Sequence, residues 1–294
     1  MSWPDRAETL LVRAILGSFA ALTPTAASNL GGAIMRTLGP MLPSHRVVRE
    51  NLRRGLPELS PQEHRRIGRE AWENLGRVLA ELVHLPAILQ FTPSGPGLET
   101  ADIAAVTALV RAPTAAILFS AHVGNWELQL PLGTRLGGDM AGIYRAPQRP
   151  GVTNVLTRIR HAAAGRAFPL FPKGAKGGRD AFAFLRNKGK LGMLIDQKLN
   201  EGIAVPFFGQ PAMTTVAAAK FALHFRCPII PFHTERLGPA RYRLVMEQAL
   251  PLPATGDAAR DTELLTAQMT AIIEGWIRAR PGEWLWMHRR WRSE

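Results

Sequence analysis

From Thr114 onward, short apolar runs alternate with segments whose apolar residues recur at helical spacing. The runs TAAILFSA (114–121), DMAGIY (139–144), LGMLID (191–196), CPIIPFH (227–233) and RYRLVME (241–247) read as strands. Helices are predicted between and after them at 126–137, 151–163, 178–187, 214–225 and 258–280. Strands this short and this apolar belong inside a sheet, and strands alternating with helices are the mark of parallel crossovers. The expected fold is α/β, a largely parallel central sheet flanked by helices over 114–294, with functional groups gathered where strands end. Upstream the pattern is helical. An apolar run spans Leu10 to Leu22, and Ser60-Pro61-Gln62-Glu63 is a capping box with proline at the first helical position, opening a long helix to about Leu89. A loop with two prolines and two glycines, Thr92 to Gly97, closes this helical N-terminal region (1–91). The whole chain, 1–294, is read as one domain.

Composition narrows the function. Lys and Arg exceed Asp and Glu by 36 − 23 = 13, which asks for a polyanionic partner: nucleic acid, an anionic bilayer, a phosphorylated lipid or an acidic carrier protein. The one cysteine, Cys227, excludes a disulfide framework and a thiolate metal cluster, and its place before Pro228 in an apolar run reads as a buried, inert thiol. The run Leu10 to Leu22 is followed by Thr25-Ala26-Ala27, like a cleavage site. However, Asp5 and Glu8 oppose Arg6 ahead of it and Arg13 interrupts it, so an export signal is not expected. It is also short of the ~20 residues that span a bilayer. The helix it forms either lies in a membrane interface or packs on the domain.

The stretch SAHVGNWELQL (120–130) sets an imidazole, His122, five residues from a carboxylate, Glu127. The spacing alone is common, and His45 and Glu50 repeat it. On one helix five residues turn about 500°, which leaves two such side chains about 140° apart, so His45 and Glu50 cannot meet. His122 differs because it ends a strand, and Gly124-Asn125 is a turn and cap signal. Glu127 then falls in the first turn of the next helix and is expected to fold back toward the ring. A carboxylate on one ring nitrogen would fix the tautomer and leave the other nitrogen as a general base. A core histidine satisfied by a backbone carbonyl is the competing reading. No Gly-x-Ser-x-Gly nucleophile is present, so a base here acts on a substrate hydroxyl. The glycine-rich, basic KGAKGGRD (173–180) is not a Walker loop and reads as a helix start with solvated lysines. The tail interleaves Trp284, Trp286 and Trp291 with Arg289, Arg290 and Arg292, which suits either a membrane interface or docking on the core through the indoles.

HVGNWE resembles the His-x4-Asp/Glu motif of the bacterial lipid A biosynthesis acyltransferases, and four further blocks resemble that family in order. They are YRAPQRPGVTNVLTRIR, LRNKGKLGMLIDQ, VPFFGQPAMTT and PGEWLWMHRRW. Two departures stand out: Ala146 separates Arg145 from Pro147, and Glu283 stands where the family has glutamine. The resemblance implies a glycerolipid-acyltransferase-like fold and transfer of a fatty acyl group from acyl carrier protein to a hydroxyl of a 3-hydroxyacyl chain on a lipid A precursor. It implies His122 as general base, Glu127 as its partner, and Arg160, rather than Arg158, as the active-site arginine. Tyr144, Arg145, Arg158 and Asn125 are then expected at the substrate. Asp196 and Gln197 join them or brace their loop, and the Phe207-Phe208-Gly209 block is read as core packing. No cofactor or metal is implied. The expected partners are acyl carrier protein, an anionic lipid acceptor and the cytoplasmic face of an inner membrane, with no nucleic acid. A phosphatidylinositol mannoside acyltransferase shares the motif, and a basic nucleic-acid-binding protein is the reading from another class, although no nucleic-acid-binding signature is present.

Overall fold

The computed structural model describes residues 3–144 and 150–291. The N-terminal region is helical: α1 (Trp3–Ala20), α2 (Pro24–Leu38), α3 (His45–Gly55), α4 (Pro61–Glu81) and the short α5 (Leu85–Ile88). The core follows as β1 (Gly97–Thr100), α6 (Ile103–Arg111), β2 (Ala116–Ser120), α7 (Gln129–Arg135), β3 (Met140–Tyr144) and α8 (Pro150–Ala164). It continues with β4 (Leu170–Pro172), α9 (Ala175–Arg186), β5 (Lys190–Leu194), β6 (Ile203–Phe207), β7 (Gln210–Thr214) and α10 (Ala217–Phe225). The last elements are β8 (Ile229–Gly238), β9 (Arg241–Met246) and α11 (Ala258–Ala279). Seven strands form one sheet in the order β1-β9-β8-β2-β5-β3-β4, parallel at every pairing except β8 with β9. The expected mixed α/β architecture with a helical N-terminal region is what the chain adopts.

β2 shows why its sequence reads as a continuous apolar run: all five residues are buried because both faces of the sheet are covered. Ile117 and Phe119 point into one core with Trp72, Ala181 and Ile273, and Leu118 into the other with Leu85, Val106 and Leu132. Each such side chain stabilises the fold by roughly 1.5–3 kcal/mol through burial. The one antiparallel pairing follows from chain length. Two residues, Pro239 and Ala240, separate β8 from β9, enough for a hairpin and far too few for a crossover. A second hairpin, β6 with β7, turns at Phe208-Gly209, both at positive φ (53° and 71°), the backbone of a tight hairpin turn. The Phe-Phe-Gly block is therefore a turn, and Phe207 and Phe208 are buried against Trp284, Trp286 and Trp291, as packing predicts. Of the tail's two readings, docking on the core holds: all three tryptophans and Arg290 are buried, while Arg292 lies outside the described residues. The start of α9 carries a solvent-facing Lys176–Asp180 pair at 3.2 Å, as expected of a solvated helix start. Cys227 is buried, and burial pushes its thiol up to about 11.

α1 has two characters. Its inner side is tied down: Asp5 and Thr9 are buried, and Asp5 accepts the Gly151 N–H at 3.3 Å in the first turn of α8. Its outer side leaves Leu10, Leu11 and Ile15 exposed, and the outward faces of α2 and the turn after it add Leu30, Ile34, Leu38 and Met41. Among the described residues no helix is long and apolar enough to cross a membrane.

Candidate active site

β2 and β5 are parallel neighbours in fixed register, from Ala116 opposite Lys190 to Ser120 opposite Leu194. Two residues beyond each strand, the same offset brings His122 beside Asp196. His122 Nδ1 lies 2.8 Å from Asp196 Oδ1, and the His122 backbone N–H donates to Oδ2 at 3.0 Å. The Trp284 indole N–H donates to the same Oδ2 at 2.8 Å. Burial alone would push this carboxyl up, but the His122 charge and the bonds from the ring, Trp284 and the His122 N–H pull it down to about 2. An ionised carboxylate only accepts, so the proton between the two side chains sits on Nδ1 and Nε2 is left basic. Nε2 faces the Gln197 amide at 3.4 Å, a long contact that a substrate hydroxyl can replace. The ring is held edge-on to Trp126, with centroids 5.1 Å apart, and its side chain is 17% exposed.

The carboxylate on His122 is thus that of Asp196, where the sequence reading expected Glu127. The reason is the turn between them. Gly124 has φ +59°, and a Cβ there would lie 2.0 Å from the Thr234 carbonyl oxygen, so the chain bends sharply against β8. Beyond the bend Trp126–Leu128 forms a single 3-10 turn, and Glu127 is aimed at α8, where Arg160 Nε and Nη2 donate to its two oxygens at 2.6 and 2.7 Å. Burial would lower the Arg160 guanidinium, but the hydrogen bonds and charge of Glu127 raise it, with Tyr144 at the end of β3 also in electrostatic reach. Arg158, two residues earlier on the same helix, is about 200° around it and exposed. Of the two arginines, Arg160 is the one that pairs with Glu127. Arg145 lies outside the described residues.

Asn125, expected at the substrate, is instead spent on the scaffold. It is fully buried, its Oδ1 accepts the Glu127 N–H at 3.1 Å, and its Nδ2 donates to Glu81 Oε2 at 2.9 Å. The Glu127 N–H is thereby already taken and is not available to an oxyanion. Glu81 anchors a buried network that sequence reading missed. Its carboxylate also accepts from Ser28 Oγ (2.6 Å), Arg236 Nη1 (2.6 Å), the Ala240 N–H (3.1 Å) and the Tyr242 hydroxyl. Burial opposes its charge, yet Arg236 and these donors keep its carboxyl below the usual range. Asn74, held by Arg236 at 2.8 Å, reaches the Gly124 carbonyl at 2.9 Å, so the network supports the His122 loop from behind. A lone acid inside VLAELVHL was its one sequence signal. His45 and Glu50, at the same spacing, stay apart as helix geometry requires: Glu50 pairs with Arg46 at 2.8 Å, and His45 Nδ1 accepts the Trp72 indole N–H at 3.1 Å.

A buried acid holding an imidazole at the carboxyl ends of parallel strands, with a paired arginine on the adjacent helix, defines the class as an α/β protein with a histidine–carboxylate site. The comparison with protein families makes this specific. The model for "Bacterial lipid A biosynthesis acyltransferase" matches residues 1–293, and the chain belongs to that family. It is an acyltransferase of lipid A biosynthesis. No curated protein matches the chain.

Proposed function

We propose that the chain transfers a fatty acyl group from acyl carrier protein to the hydroxyl of a 3-hydroxyacyl chain on a lipid A precursor, with His122 as general base oriented by Asp196. The observation that carries this reading is the 2.8 Å contact from His122 Nδ1 to the buried Asp196, which leaves Nε2 as the acceptor nitrogen. Nε2 takes the acceptor's hydroxyl proton as the oxygen attacks the thioester carbonyl. The tetrahedral oxyanion then collapses, breaks the C–S bond, and the imidazolium returns the proton to the carrier thiolate. Arg160 is the cation we assign to the developing oxyanion; Glu127 occupies its Nε and Nη2 and so sets the direction of the guanidinium. Neither step calls for a metal or a redox cofactor. The exposed apolar side chains of α1 and α2, with a surplus of 13 basic residues, suit a seat on the anionic cytoplasmic face of an inner membrane, where the lipid acceptor lies. The same charge steers an acidic carrier protein.

Mass spectrometry of the acceptor, after incubation with a mixture of acyl carrier protein thioesters, tests the reading and reports chain length. The expected outcome is one acyl addition by the native protein, and turnover at least about 10²-fold slower with His122→Ala. Undiminished transfer by His122→Ala protein refutes the base assignment.

A further inference from the structure

The tail after α11 is more than a packed end. A 3-10 turn, Pro281–Glu283, leads it back across the carboxyl end of the sheet, where Trp284 bridges antiparallel to Val123. The Gly124 N–H donates to the Glu283 carbonyl at 3.2 Å and the Leu285 N–H to the His122 carbonyl at 3.1 Å. The backbone of the loop that presents His122 is therefore bracketed by residues 283 and 285. Between them the indole of Trp284, 1% exposed, is wedged edge-on between Phe207 (5.7 Å) and Trp286 (4.6 Å). Its N–H reaches Asp196 Oδ2, which also takes the His122 N–H, while Oδ1 is left to the ring. The same tail delivers Arg290, fully buried, donating to the Met213 carbonyl (2.8 Å) and Thr214 Oγ1 (2.6 Å), with its charge felt by Asp196.

We propose that Trp284 is a positioning residue for acyl transfer: its indole N–H fixes the rotation of the Asp196 carboxylate so that Oδ1 stays on His122 Nδ1. The inference rests on His122 and Asp196 acting as proposed above. Two donors on Oδ2 hold the carboxylate plane; without the indole only the His122 N–H remains on that oxygen, so the group turns more easily and holds the imidazole less firmly. Trp286 supplies an internal control. It is equally buried, packs in the same aromatic cluster, and donates its N–H to the Pro281 carbonyl at 2.7 Å instead.

The test compares Trp284→Phe with Trp286→Phe in the full chain and adds a protein with 3-benzothienylalanine at 284, which keeps the bicyclic shape and replaces N–H by sulfur, so the question survives a poorly folding phenylalanine variant. The readouts are kcat and KM for acyl transfer and the low-field proton resonance of His122 Nδ1–H. For both position-284 proteins kcat is expected to fall about ten- to hundredfold, the worth of one hydrogen bond to a charged group, with KM within about threefold. The Nδ1 proton resonance should shift or vanish. Trp286→Phe should keep kcat within about threefold of native whatever it does to stability. A benzothienylalanine protein with native kcat and an unmoved resonance overturns the proposal, as does an equal kcat loss in Trp286→Phe. His122→Ala separates the two levels. Loss of activity there with a fully active benzothienylalanine protein removes only the role of Trp284, whereas a fully active His122→Ala removes the catalytic reading itself.

Discussion

Asp196→Asn replaces an acceptor-only group by one that both donates and accepts, at almost unchanged volume. Three donors converge on the native carboxylate: the His122 ring, the His122 backbone N–H and the Trp284 indole. The last two share Oδ2, so the amide oxygen of asparagine settles there and the NH2 faces His122 Nδ1. That nitrogen must then accept, which moves the ring proton to Nε2 and abolishes the base. In the serine-protease triad the equivalent change costs about 10⁴ in kcat, and we expect a fall of about 10³–10⁴ here with KM within about threefold. Histidine nitrogen–proton correlation spectra should report the switch from the Nδ1–H to the Nε2–H tautomer. The native carboxyl, pulled from 3.8 to about 2, also stabilises the fold by about 2 kcal/mol at neutral pH. Because its folded value lies below the unfolded one, that contribution is complete above about pH 4 and is lost as pH falls toward 2, a dependence that Asp196→Asn should erase. An Asp196→Asn protein whose kcat stays within about threefold of native, with the tautomer unchanged, would show the reasoning to be wrong.

Glu127→Gln should lower kcat about 10²-fold by loosening Arg160 rather than by altering His122, so its loss and that of Arg160→Lys should combine to less than their product in a double-mutant cycle; multiplicative effects would mean that the two side chains act separately. Glu81→Ala strands the buried Arg236 guanidinium, and urea denaturation should register a loss of about 3–5 kcal/mol. A change below about 1 kcal/mol would contradict the bracing role. His233, buried and stacked on Trp276 at 4.2 Å, is pushed down to about 4 by burial and the Arg280 charge. The folded state therefore binds fewer protons there than the unfolded chain does. Stability should be flat above about pH 6.5 and fall by about 3 kcal/mol on approach to pH 4, a slope absent in His233→Gln and separate from the Asp196 window. Leu10→Glu combined with Leu11→Glu should weaken co-sedimentation with anionic vesicles by at least about tenfold while leaving thermal unfolding unchanged, since both side chains are exposed; undiminished binding would remove α1 from the membrane face.

How much is legible in advance depends on whether the signal is local. Strands β2, β3 and β5 announce themselves as short apolar runs, β8 by its apolar first half and β9 by Tyr242 and Leu244 alternating with arginines, and α4 announces itself by the Ser60–Glu63 box. α2 and α6 escape a reading by pattern, as do β1 and β4, whose few residues lack a run long enough to stand out. The β6–β7 hairpin is visible only as a motif, since Pro206 and Pro211 mask its strand character. The site divides along the same line. His122 is legible because a polar residue at the end of an apolar strand is a local event, and Arg160 because it ends a motif block. The partner of His122 is not, because nothing in residues 116–127 says that the strand beside β2 is β5 rather than β3.

The five-residue interval in HVGNWE takes on a different meaning once that neighbour is known. Gly124 turns the chain so that the imidazole stays with the sheet and the carboxylate leaves it. The interval therefore joins two pairs instead of making one: His122 is held by an acid from β5's end, and Glu127 holds a base from α8. A histidine and a glutamate closing on each other would leave Asp196 Oδ1 without the ring and the Arg160 guanidinium without its carboxylate. The crossed arrangement pairs all four. It also separates the tasks, with one acid setting a tautomer and the other aiming a cation, so that each can be perturbed without the other, as Asp196→Asn and Glu127→Gln are designed to do.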